Sequence, residues 1–216
     1  MSEPGAPPDP ALRQPPTFAL AAASDAEFTT RLPAIEAYLV ANFPGLRGLR
    51  QHRPHFDPER ERTTDPIEHT LEVIAALDTH DFPPRDALIL RAATVFHDVG
   101  KLLDPLNVRH ALESAVICPP YLADFPLTPA ECRDAVAIVR NHDVLGRIAQ
   151  GRLSASEGAD LFGTRRLAVL TERLTVTDIS SIRGLGHVLP NIAAAYEAIL
   201  AEFDARERRE AEPGGQ

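Results

Sequence analysis

The sequence predicts an all-α fold, a single-domain helical bundle, on three observations. Apolar residues recur at helical spacing through most of residues 32–205, proline-marked helix starts precede several of those stretches, and strand-like alternation is almost absent. Residues 32–41 form the first stretch of helical spacing. Asp65-Pro66 reads as an N-cap followed by proline at the first helical position, opening a helix to about Leu77. Pro83-Pro84 precedes a helix to about Asp98. Further helices are expected over 108–117, 129–142, 165–181 and 190–205, with a short one over 154–161. Residues 1–24, rich in Pro, Ala and Gly, are expected to be a flexible tail, and the charged residues 206–216 to fray. The helical domain then spans residues 25–205.

Composition narrows the function classes. With 44% hydrophobic and 25% charged residues the chain can build a sizeable core. No apolar run approaches the roughly 20 residues needed to span a bilayer, so no membrane association is expected. The first residues lack the basic start and apolar core of a signal peptide. Cys118 and Cys132 are too few for a disulfide framework and are expected to be small buried hydrophobes, in keeping with a cytoplasmic location. A net charge of −9 disfavours non-specific nucleic-acid binding, which depends on neutralising phosphates. It leaves room for a small phosphorylated substrate, because bound divalent cations offset acidic charge locally.

The stretch TVFHDVGK, residues 94–101, raises the chemical question. Within residues 87–96 nearly every position except Arg91 and Thr94 is apolar, so this helix should be central. His97 and Asp98 fall in its last turn, and Gly100 is placed as the residue that ends it. A buried carboxylate there is disfavoured by desolvation and by the partial negative charge of the helix end. Protonation, an ion pair with Lys101, or a metal cation would relieve it. Asp178 follows Leu167, Leu170 and Leu174 on an apolar seam, and His142 follows Ala135, Ile138 and Val139. His69 shares a face with Val73 and Ala76, while His110 heads a stripe with Ser114 and Ile117. Imidazoles and carboxylates facing inward from several helices would each need a buried partner; together they form a mixed nitrogen and oxygen donor set. Such a set suits Mn²⁺, Fe, Zn²⁺ or Ni²⁺. The Arg-rich segment 46–62, with Arg47, Arg50, Arg53, Arg60 and Arg62, reads as a solvated loop, or alternatively as a lip that contacts substrate phosphates.

The ordered set His69, His97-Asp98 and Asp178 resembles the H…HD…D signature of the HD-domain metal-dependent phosphohydrolases. FHDVGK is similar to the HD-[IV]-G-K form of phosphodiesterase-type members and of the HD domains of bacterial tRNA nucleotidyltransferases. RHALESA is similar to a His-x-x-Glu-x-Ala element that follows in many of them. IVRNHD stands where two-metal members supply another His, and the resemblance covers about residues 65–183. It implies an HD-type bundle in which His69, His97, Asp98 and Asp178 bind a first metal. Asp98 would bridge to a second held by His110 and His142; in a mononuclear alternative these two histidines contact substrate or pack. Two divalent ions are implied, Mn²⁺ or Fe ahead of Zn²⁺, Ni²⁺ or Mg²⁺. The resemblance further implies metal-activated hydroxide attacking phosphorus in line. Asp98 would fix the metals, Asp178 orient the nucleophile and Lys101 reach the phosphate.

The implied function is hydrolysis of a phosphoester of a nucleotide or cyclic nucleotide, a 2′,3′-cyclic phosphate or a monoester included. A non-catalytic metal- and nucleotide-binding sensor is the alternative. Departures narrow the class. VGKL after Asp98 differs from the HD-x-x-E-D of alarmone hydrolases, no HD-x-x-H of deoxynucleoside-triphosphate hydrolases is present, and DVLGRIAQG replaces the GYP extension of cyclic-di-GMP enzymes. No nucleotidyltransferase domain precedes the region, so a freestanding enzyme is expected.

Overall fold

The computed structural model describes residues 9–49, 65–104 and 109–211. Every regular element among them is helical, and no strand occurs. The chain divides into two compact units, Met1–Arg140 and Asn141–Gln216.

In the first unit, local signals set the helix starts. Ser24 caps α1 (Asp25–Thr29) by accepting a hydrogen bond from the Glu27 N–H. α2 (Leu32–Asn42) buries Ile35, Tyr38, Leu39 and Asn42, one stripe at helical spacing. Asp65 caps α3 (Pro66–Ala76), with Pro66 in the first turn and Glu68 completing a reciprocal capping box. α4 (Pro84–Phe96) is buried all the way from Ala87 to Phe96, as its composition requires. After it come a 3-10 turn (Val99–Leu102), α5 (His110–Ile117), α6 (Pro119–Leu122) and α7 (Pro129–Asn141). Arg85 of α4 ties down α7 through Glu131, its Nε 2.6 Å from the carboxylate.

Phe96 organises the core of this unit. Its ring centroid lies 6.2 Å from Tyr38, 6.4 Å from Phe43, and 6.2 Å from both Tyr121 and Phe125. Tilted and edge-on ring pairs at such distances each contribute about 0.5–1.5 kcal/mol beyond area burial. The cluster pins the end of α4 immediately before His97-Asp98.

Residues 9–24 depart from the flexible tail that composition predicts. Leu20 is fully buried, and the Phe18 ring packs 5.6 Å from Tyr38 and 5.5 Å from Phe125. The Gln14 N–H donates to Asn42 Oδ1 at 2.7 Å, and Arg13 pairs with Asp124 at 2.9 Å. Arg91, the charged break in the apolar run of α4, holds the segment from inside. It donates to the carbonyls of Leu20 and Ala22, to Thr79 Oγ1 at 3.0 Å and to Asp25 at 2.7 Å, with its guanidinium over the Phe28 ring. The packing comes from two isolated apolar residues whose partners are distant in sequence, which periodicity cannot register. Residues 1–8 lie outside the described residues.

The second unit contains α8 (Val144–Ala149), α9 (Ala155–Phe162), α10 (Arg165–Ser181) and α11 (Leu189–Ala211). Ser154 and Glu157 form a capping box at α9, and Thr164 caps α10. Gly163 ends α9 with φ 70°, a conformation that costs a residue with a Cβ. The core is Val144, Leu145, Ala159, Phe162, Ala168, Ile192, Ala195, Ile199 and Phe203. Residues 206–211 continue α11 instead of fraying, because Arg206 pairs with Asp160 at 2.7 Å and donates to the Ser156 carbonyl. Residues 212–216 lie outside the described residues. Cys118 is buried as expected and burial pushes its thiol up to about 12, whereas Cys132 is only partly buried. No described helix is long and apolar enough to cross a membrane.

Arg91 is 4% exposed, so removing its carboxylate partner leaves a buried charge without compensation. Asp25→Ala is expected to cost about 3 kcal/mol in urea unfolding, the low end for a broken buried pair because Asp25 retains some solvent. Proteolysis within residues 9–24 should accelerate in parallel. A loss within the scatter of ordinary surface substitutions would show that the segment is not anchored through this pair.

Candidate metal centre

Five of the residues singled out from the sequence belong to the first unit and converge there: His69, His97, Asp98, Lys101 and His110. His69 sits one turn into α3, its N–H donating to the Asp65 carbonyl at 2.9 Å, so the Asp65 cap fixes where the imidazole stands. α4 stops at Phe96, and Asp98 takes φ −109°, ψ 4°, from which the chain tightens into the turn Val99–Leu102. In 3-10 geometry residues three apart eclipse one another, which brings Lys101 over Asp98. The Lys101 ammonium contacts Asp98 Oδ2 directly.

Gly100 differs from its expected role. It has no positive φ and is not a left-handed helix terminator. It lies inside the turn, where a Cβ would stand 2.2 Å from the His110 carbonyl oxygen and 2.3 Å from the Ser114 nitrogen. Its own N–H donates to Ser114 Oγ at 2.7 Å. Glycine is required because the backbone of α5 presses against the turn, and this contact carries His110 to Asp98.

The donor geometry is centred on the Asp98 carboxylate, which is 2% exposed. His69 Nε2 lies 3.8 Å and His97 Nε2 3.4 Å from Oδ2, while His110 Nε2 lies 3.5 Å from Oδ1. The two oxygens therefore face different imidazoles. Burial pushes the Asp98 carboxyl up, but the charge of Lys101, then of His97, His110 and His69, outweighs it and holds the group well below the usual carboxylate range.

His97 Nδ1 stands 2.8 Å from the Thr94 carbonyl oxygen, which can only accept, so Nδ1 carries a proton. In the neutral ring Nε2 then presents a lone pair toward Asp98. A lone pair 3.4 Å from a carboxylate oxygen is favourable only if the ring is protonated or a cation stands between them. The donor atoms of His69, His97 and Asp98 lie within 4.8 Å of one another, so these buried groups could hold a metal ion. The donor set therefore fits the metal that the resemblance implies.

His142 and Asp178 belong to the second unit. His142 is buried just before α8, one residue beyond the end of α7, and its carbonyl accepts from Thr175 Oγ1 at 2.7 Å. Asp178 is half-buried on α10, beyond the buried Leu170 and Leu174 of the expected seam. Arg47 is engaged by carboxylates: it contacts Glu36 and lies 3.5 Å from Asp65 and 3.8 Å from Glu68. Arg50, Arg53, Arg60 and Arg62 lie outside the described residues. Two site residues were not singled out from the sequence as parts of the centre. Thr94 orients His97, and Ser114 holds the Gly100 turn; both are lone hydroxyls in apolar helical stretches, which is the signal that could have found them.

No family model matches the chain, and no curated protein matches it.

The Gly100 contact yields an opposed pair of substitutions. Gly100→Ala sets a methyl group against backbone and is expected to cost about 1–3 kcal/mol or more and to weaken metal binding. Gly146→Ala in α8 meets nothing within 4 Å and should be neutral or stabilising, by up to about 1 kcal/mol. Denaturant unfolding with a Mn²⁺ titration checks both, and equal behaviour would remove the close-packing explanation.

Proposed function

We propose that this protein is a metal-dependent phosphohydrolase of the HD-domain type, acting on a phosphoester of a nucleotide or cyclic nucleotide. One observation carries the reading: a buried carboxylate whose oxygens face two imidazoles on one side and a third on the other. His69, His97 and Asp98 would hold one divalent ion, with His110 beside the second carboxylate oxygen. Bound there, such an ion supplies Lewis acidity and lowers the pKa of coordinated water, as phosphoester hydrolysis at neutral pH requires. Mn²⁺ or Fe are the favoured ions; Zn²⁺, Ni²⁺ and Mg²⁺ are alternatives.

The protein's own residues have separate parts. Thr94 fixes the His97 tautomer so that Nε2 is the nitrogen that would ligate, as partners of metal-binding imidazoles commonly do. Asp98 is held as the anion first of all by the Lys101 ammonium beside it. Burial of the cluster keeps bulk water from screening these charges. The resemblance adds His142 and Asp178 to the ligand set, with Asp178 orienting the nucleophile, and their substitution belongs in the test.

The test is a turnover assay on metal-stripped protein, with and without Mn²⁺, over cyclic nucleotides including 2′,3′-cyclic forms, linear diesters and monoesters. Hydrolysis is expected with metal only, falling to background in Asp98→Asn and His97→Ala and strongly reduced in His142→Ala and Asp178→Asn. Metal content by elemental analysis should drop in His97→Ala. Metal binding without turnover across the panel would leave a non-catalytic binding module, and equal metal in wild type and His97→Ala would defeat the site itself.

A further inference from the structure

Of the chain's 22 lysine and arginine residues, Lys101 is the one lysine. It is also buried, 4% exposed, with its ammonium on Asp98 Oδ2, the oxygen that His69 and His97 face at 3.8 and 3.4 Å. The difference between the two cations explains the choice. A guanidinium is a planar fork that engages both oxygens of a carboxylate and would compete with His110 for Oδ1. An ammonium is a compact point charge on a flexible four-carbon stem and occupies one oxygen only. Its place on Oδ2 is where a divalent ion held by His69, His97 and Asp98 would concentrate its charge. The two cations cannot share that oxygen without strong repulsion in a poorly screened site.

We propose that Lys101 is the resident cation of the metal-free centre, displaced from Asp98 when a divalent ion binds and thereby released toward an anionic oxygen of the substrate. The inference rests on the metal-binding reading above. It adds that Lys101 lowers metal affinity and that metal occupancy controls presentation of the phosphate-binding charge. The backbone need not move, because the turn Val99–Leu102 can stay against α5 while the stem rotates. Lys101 is thus a positioning residue for the metal-free state and a substrate contact in the loaded one.

Lys101 carries the only side-chain amine, so acylation by an N-hydroxysuccinimide ester reports on it directly, with the chain's α-amino group as internal reference. Peptide mass spectrometry would follow its rate in metal-stripped wild type, with Mn²⁺ or Zn²⁺, and after adding a chelator, beside calorimetric titration of the same ions. Lys101 is expected to be protected without metal, to react about tenfold faster or more with it, and to regain protection with chelator. Lys101→Met should bind the ion about tenfold more tightly than wild type while its metal-free form melts at lower temperature. Unchanged acylation despite bound metal, or affinity in Lys101→Met no tighter than in wild type, overturns the inference and leaves the metal site standing. If wild type binds no metal, or His97→Ala binds it equally, the underlying reading fails instead. Should Lys101→Met not fold, the wild-type acylation rates decide alone.

Discussion

Asp98 is 2% exposed and stands two residues past the end of α4, where the final carbonyls already concentrate negative charge. A carboxylate in that position folds as an anion only if positive charge or hydrogen-bond donors surround it closely. The first unit meets the condition with groups from three directions. His69 comes from α3, His110 from α5, and His97 and Lys101 flank Asp98 in the chain itself. Much of the surrounding structure can be understood as what holds these groups on the two oxygens. The Asp65 capping box sets the phase of α3, Thr94 sets the His97 ring, and Gly100 lets α5 come close enough to deliver His110.

Electrostatic compensation of this kind depends on position, because an ångström of drift in a poorly screened interior changes each interaction substantially. The aromatic cluster around Phe96 supplies the rigidity. Tyr38, Phe43, Tyr121 and Phe125 contact Phe96 from different elements, so the end of α4 is fixed by interdigitated rings one residue before His97. The apolar core and the polar centre are adjacent parts of one construction. Phe96 buries area and immobilises, and His97-Asp98 uses that immobility.

What the sequence disclosed divides by the range of the interactions involved. The start of α3 was legible because its cap, its proline and its Glu68 partner lie within four residues. The burial of α4 was legible because ten consecutive positions are apolar with few exceptions, and His69, His97, Asp98 and His110 were legible as polar groups on apolar stripes. The short helices α1, α6 and α8 span too few turns to show a period. Gly100 was misread because a glycine past a helix end is normally a terminator, whereas here the demand comes from Ser114 and His110, well beyond any local window. Phe18 and Leu20 look like isolated apolar residues in a Pro-rich tail until Tyr38, Phe125 and Arg91 are brought beside them.

Arg91 and Lys101 show how the two kinds of cation divide the work of this unit. Both are 4% exposed and both meet a carboxylate. Arg91 spreads its guanidinium over two carbonyls, a hydroxyl and Asp25, and rests on the Phe28 ring. Displacing it would leave several buried acceptors without a donor at once, so it acts as a permanent staple. At Asp98, Lys101 meets an oxygen that imidazoles also approach. A competing cation held between Asp98 and those imidazoles would supply the same oxygen with charge in its place. The same chemistry that makes arginine suitable for closing a core makes it unsuitable for a position that must exchange its charge, and this gives the single lysine its physical reason.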